Sequence, residues 1–211
     1  MPSRNNRRET GRSNRSQPAE LDRCRAIRSR EERSSFLILC EGKTEKRYFT
    51  GMRSRYGPQL DVDYSDDWDH CQVAREAVDR WAEAQRSGTP YEGVWCVLDT
   101  ELDQALVRAI SAELQDTKVQ VAFSCPSFEV WLILHIRDYR KPFQSAQEAK
   151  ALLRDVVPGW TPNRTEFSRF KAGLADAVER AQTLEPTGNS HLANPSSGVW
   201  QLIAAIQAAT V

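Results

Sequence analysis

Apolar and polar positions are distributed very differently before and after about residue 33. Residues 1–20 are Arg, Ser, Asn and Pro with almost nothing apolar, so the stretch reads as disordered. Residues 21–33 read as a charged helix leading into the fold. Phe36-Leu37-Ile38-Leu39-Cys40 is a short continuous apolar run, the pattern of a strand buried on both faces. Thr44 can cap a following helix, in which Tyr48, Phe49, Met52 and Tyr56 recur at helical spacing until Gly57-Pro58 ends it. Leu60 to Tyr64 alternates, as an edge strand does. The spacing of Val73, Ala77, Val78 and Trp81 predicts a helix over 71–86, closed by Gly88-Thr89-Pro90.

Val94 to Leu98 is a second buried strand, and Leu102, Leu106, Ile110 and Leu114 mark the helix after it. Val119 to Phe123 is another strand. Pro126 then opens a strongly apolar helix through about His135. The order βαβαβαβα predicts an α/β fold, a parallel sheet covered by helices on both faces. Beyond about residue 140 the pattern is helical, at 145–157, 166–183 and 196–209. Three regions follow: a basic arm (1–33), an α/β core (34–140) and a helical C-terminal extension (141–211).

Composition places this fold without changing it. No apolar run approaches the roughly 20 residues that span a bilayer, and no segment looks like a secretory signal. Five scattered cysteines lack metal-ligand spacing and suit buried thiols in a reducing compartment, so the cytoplasm is expected. Net charge is zero, but residues 1–33 hold ten arginines against five acids. A basic arm beside an acidic body suits a protein that meets phosphates with one part and metal with the other; the bland alternative is a solubilising tail.

In open parallel sheets, ligands bind beyond the carboxyl ends of the strands. Glu41 directly follows the first buried strand and Asp99 the second. If these strands are neighbours, their carboxylates meet, and clustered like charges call for a cation. An all-oxygen cluster suits Mg²⁺ or Mn²⁺, and such ions serve phosphoryl transfer. Glu45, Glu101 and Asp103 lie in first helical turns, where the helix dipole or a capping box accounts for acids equally well. Glu129 stands in an apolar helix on a face from which it can reach the cluster. His135 shares the Phe128, Trp131 and Leu132 face, as a structural histidine would. Asn194, Ser196 and Ser197 either cap the last helix or hold a phosphate at its N-terminus. Lys43 either meets the substrate phosphate or is simply solvated, and the nearby Lys46 and Arg47 suggest a basic rim. His70 and His191 stand alone in polar surroundings and receive no role.

Four segments carry a family resemblance: Phe36 to Phe49, Val94 to Glu101, Ala122 to His135, and Asn194 to Val199. In this order they resemble the motifs of the RloB-like proteins. The resemblance implies a Toprim-like fold, and implies that Glu41 does general acid/base work while Asp99 and Glu101 bind metal. It further implies an effector nuclease of a bacterial anti-phage, abortive-infection system that works with an ABC-type ATPase encoded nearby. The chain departs from the family pattern at Thr100, Glu101, Cys125 and Trp200.

The function expected is therefore a metal-dependent endonuclease cutting RNA (tRNA among the candidates) or DNA. Its catalytic residues would be Glu41, Asp99, Glu101 and Glu129, and its metal ligands Glu41, Asp99 and Glu101. Lys43, Glu45, His135, Asn194 and Ser196 would meet substrate. The alternative is a non-catalytic adaptor that binds the ATPase or nucleic acid. A nucleotidyl transferase is weaker, for want of a Gly-rich nucleotide loop. No Gly-x-x-x-x-Gly-Lys loop occurs, so any ATP dependence comes from the partner. Whether the chain forms a homo-oligomer stays open.

Overall fold

In the computed structural model, which describes residues 33–187, 191 and 193–210, the apolar runs at 36–40, 94–98 and 119–123 have become strands of one sheet. Apart from Arg33, the basic arm and the helix expected over 21–33 lie outside the described residues. The strands are β1 (Ser35–Cys40), β2 (Gln59–Asp63), β3 (Gly93–Asp99), β4 (Val119–Cys125) and a two-residue β5 (Ser196–Ser197). Their order is β2-β1-β3-β4-β5, with the first four parallel and β5 antiparallel to β4. The helices are α1 (Lys43–Met52), α2 (His70–Ser87), α3 (Gln104–Leu114), α4 (Glu129–Ile136), α5 (Ala146–Val156), α6 (Leu174–Leu184) and α7 (Val199–Ala208).

Alternate strand residues serve opposite faces, as the two-residue period of a strand requires. Leu37, Leu39, Val94, Cys96, Leu98 and Phe123 pack with α2 and α3. Phe36, Ile38, Leu60, Val62, Trp95 and Val97 pack with α1, α4 and the C-terminal helices. Both faces are covered, which is why β1 and β3 read as unbroken apolar runs. The helix α4 is apolar all round because it lies between the sheet and helices α5 and α6, and Val130 to Leu134 are all buried. Residues 34–211 thus form one unit, with the C-terminal helices inside its core.

Local chemistry sets the element ends. The helix α2 opens with a reciprocal capping box, in which Asp69 accepts from the Gln72 N–H and Gln72 accepts from the Asp69 N–H. It closes at Gly88, whose φ of 74° only glycine adopts freely. Several expectations shift. Thr44 does not cap α1; it is buried inside the first turn, with Gly42 at the cap position. Tyr56 lies beyond the helix and is exposed. Leu102 precedes α3, which Asp103 caps by accepting from the Ala105 and Leu106 N–H groups. Pro126 comes before α4 rather than opening it. The helix expected over 166–183 is two 3-10 turns (Phe167–Arg169, Lys171–Gly173) followed by α6. The helix expected over 196–209 begins only at Val199, because Ser196 and Ser197 pair with Cys125 and Ser124 as a fifth strand.

Candidate metal centre and active site

β1 and β3 are neighbours, in register from Phe36 opposite Gly93 to Cys40 opposite Val97. That register delivers Glu41 and Asp99 side by side at the carboxyl edge of the sheet. The Glu41 N–H still donates to the Val97 carbonyl, so its backbone extends the ladder by one bond. Its Oε2 accepts from the Asp99 N–H at 3.0 Å. The Asp99 Oδ1 in turn accepts from the Phe128 N–H at 2.8 Å, at the entry to α4. Each acid is thus held by the backbone of the next element, which fixes carboxylate positions better than side-chain packing alone.

His70, the first residue of α2, completes an outer group. Its Nε2 stands 3.0 Å from Glu41 Oε2, although the ring N–H direction misses the carboxylate, so the contact is electrostatic rather than an aligned hydrogen bond. Glu41 foremost, with the charges of Glu101 and Asp69, holds the imidazole above its ordinary range against the opposing effect of burial. Donor atoms of Glu41, His70 and Glu101 all lie within 4.8 Å of one another. Glu101 reaches this position from a backbone in the left-handed region, with φ 48° followed by 64° at Leu102. Neither residue is glycine, and strain of this kind concentrates where a loop must present a group. Sequence pattern assigned His70 nothing. The signal was its place after a capping residue in the βα connection of β2, at the edge where α/β sheets bind ligands.

An inner group lies behind. Glu45 is buried in the first turn of α1, and its Oε2 has no hydrogen-bond partner among the described residues. Burial foremost, then the charges of Glu129 and Glu41, pushes its carboxyl up to about 8, its own backbone N–H pulling the other way. Asp99 is pushed well up by burial and by Glu41, Glu45 and Glu129, with the Phe128 N–H opposing. Glu129 is buried and accepts from the Ser127 hydroxyl at 2.7 Å. Glu41, Glu45, Asp99 and Glu129 crowd together with one buried carboxyl oxygen unpartnered, and the raised Glu45 and Asp99 carboxyls reflect a repulsion that a cation would relieve. The donor set present, two carboxylates and an imidazole, fits a divalent ion, and the imidazole suits Mn²⁺ better than Mg²⁺.

The remaining sequence candidates are placed differently. Lys43 is exposed beside the cluster and pairs with Asp66 at 2.9 Å. His135 is buried, its Nδ1 donating to the Phe170 carbonyl at 2.7 Å and its Nε2 accepting from the Tyr48 hydroxyl at 3.0 Å. That pairing fixes a neutral ring and leaves neither nitrogen for substrate. The Asn194 amide clasps Phe143, accepting from its N–H and donating to its carbonyl. Ser196 is buried in β5, and Ser197 meets the Ser124 hydroxyl at 2.9 Å. Asn194 and Ser196 therefore hold the chain against β4 instead of opening a helix N-terminus. Two of the departures from the family pattern touch: the Thr100 hydroxyl lies beside the buried Cys125 thiol, which burial pushes up and Thr100 draws down.

Fold and site together define an α/β protein with a carboxylate–imidazole centre at the carboxyl edge of a parallel sheet. The family model for RloB-like proteins matches residues 36–206. The chain belongs to the RloB-like family. Neither the curated proteins nor the solved structures include a match to it. Among the described residues, no helix is long and apolar enough to cross a membrane.

Proposed function

We propose that this chain is a divalent-metal-dependent endonuclease, acting on RNA or DNA as the effector of an anti-phage system with a partner ABC-type ATPase. The observation that carries the reading is the convergence of Glu41, His70 and Glu101 donor atoms at the sheet edge, backed by Glu45, Asp99 and Glu129. A scaffold has no need to gather acids that destabilise one another. Glu41, His70 and Glu101 would hold the ion, which supplies Lewis-acid polarisation of the phosphodiester and a more acidic bound water. Asp99 positions Glu41 through its N–H, and Phe128 positions Asp99. Asp99, part of which reaches the surface, holds a proton more readily than an ordinary carboxyl and is the candidate donor to the leaving oxygen, while Glu45 lies buried behind it. Lys43, Lys46 and Arg47 offset the charge of the incoming phosphates.

The test is cleavage of labelled total RNA and plasmid DNA in Mg²⁺, Mn²⁺ or EDTA, with and without the ATPase. Wild type should cut with Mn²⁺ at least as well as with Mg²⁺. Glu41→Gln and Glu101→Gln should lose more than the roughly 10–100-fold that removal of an outer-shell partner brings. His70→Asp should move the preference toward Mg²⁺. Equal inertness of wild type and variants, ATPase included, would put the adaptor reading ahead.

A further inference from the structure

Beside the acidic centre lies a cavity of about 620 Å³ between α1 and the 3-10 turn at Phe167–Arg169. Its lip is basic. Lys43, Lys46 and Arg47 line it from one side of α1, and Lys43 is two residues from Glu41, so the cavity opens within roughly 7 Å of backbone from the metal centre. Arg47 is exposed and has no ion-pair or hydrogen-bond partner among the described residues, whereas Lys43 and Lys46 pair with Asp66 and Asp63. The interior is apolar and aromatic. Phe167 forms one wall, and Tyr64 another with the Lys46 Nζ 4.8 Å from its ring centroid. The Thr50 and Ser168 hydroxyls add groups that can meet base edges.

The cavity is an open cleft whose floor is set by the fold. Gly51 lets the two walls meet: a Cβ there would stand 2.9 Å from the Phe167 Cβ and 3.2 Å from its backbone nitrogen. A lip with one uncommitted guanidinium, Arg47, over two aromatic walls suits neither a bare anion nor an apolar ligand. It matches a nucleotide, with phosphate outside and base within. A base paired inside a duplex enters such a concavity only after it is unstacked and unpaired, a cost that favours a strand already unpaired.

We propose that this cavity receives one unpaired nucleotide of the substrate strand, next to the phosphate presented to the metal centre, so that the preferred substrate is single-stranded or looped. The assignment rests on the endonuclease reading and narrows its substrate class.

The test measures binding rather than cutting. Fluorescence anisotropy in EDTA would compare labelled single strands of RNA and DNA, about 12 nucleotides long, with duplexes of the same sequence. Single strands should bind at least about tenfold more tightly than duplexes. Arg47→Glu and Thr50→Trp, the latter filling the mouth, should each remove at least about tenfold of that affinity. Both residues are exposed, so unchanged thermal melting and unchanged Mn²⁺ binding would confirm intact variants. Equal binding of single strand and duplex, or variants without effect, would overturn the assignment even in an active nuclease. A mixture of the four 5′-mononucleotides binding as tightly as the strand would also overturn it, giving the cavity to a free nucleotide. Strand preference lost in the variants, in a protein that never cuts, would uphold the cavity and sink the nuclease.

Discussion

With its carboxyl raised to about 8, Glu45 keeps a proton in the folded chain that the unfolded chain has released above roughly pH 4.5. Folding stability should therefore fall as pH rises from about 4.5 to 8, by on the order of a few kcal/mol. His135 acts with the opposite sign. Burial foremost lowers its ring to about 4, against the pull of the Phe170 carbonyl, so the unfolded chain binds its proton first. Its contribution is present above about 6.5 and is lost as pH falls toward 4. Thermal melts in EDTA from pH 4 to 8.5 check both: Glu45→Gln should flatten the alkaline decline, and His135→Gln the acid one. A Glu45→Gln curve parallel to wild type above pH 6 would mean that Glu45 is ionised in the fold. Residue types alone pointed to Glu41 and Asp99, because an acid ending a buried strand has no capping duty, and the sheet does bring the two together. They did not reveal the state of Glu45, which depends on what surrounds it. Nor could they reveal His70, whose partner Glu41 is brought to it only by the sheet.

At the level of elements, α6 and the turn before it pack closely on α4, most tightly at Gly173. A Cβ on Gly173 would be driven onto the His135 carbonyl oxygen, a backbone atom at the end of α4 that cannot move aside. Gly173→Ala should destabilise the fold by at least about 2 kcal/mol, measured by urea denaturation, while an alanine at the open Gly159 clashes with nothing and meets only the strain of its φ of 72°. The buried strands were legible as unbroken apolar runs, and the first helices because they keep a period over several turns. The 3-10 turns at 167–173 and β5 were not. Each spans two or three residues, too short for a period, and each owes its conformation to distant partners: Phe167 to Gly51, and Ser196 to Cys125. The same contacts that escape a local reading form the wall of the cavity and the outer edge of the sheet.

For the molecule as a whole, an ion binding at Glu41, His70 and Glu101 must stabilise the native state, since the unfolded chain does not assemble the site. At 100-fold excess over Kd the gain is about 2.7 kcal/mol, a rise in Tm of roughly 5–10 °C for a chain of this size. Differential scanning calorimetry with Mn²⁺ should show this rise in wild type and its loss in Glu41→Gln. No shift in wild type would remove the metal centre and with it the proposed chemistry. The cation should also shrink the alkaline decline due to Glu45, because it offsets the negative field of Glu41 and Glu129.

The antiparallel β5 has a consequence in time. The ribosome makes every acid of the centre, from Glu41 to Glu129, before it reaches Ser196 and Ser197, which lie more than 60 residues further on. Until those two serines arrive, Ser124 and Cys125 present an open edge directly beside the strand that bears Asp99. The nascent chain thus holds its acids well before it can brace them, and the sheet that aligns them is finished late in synthesis.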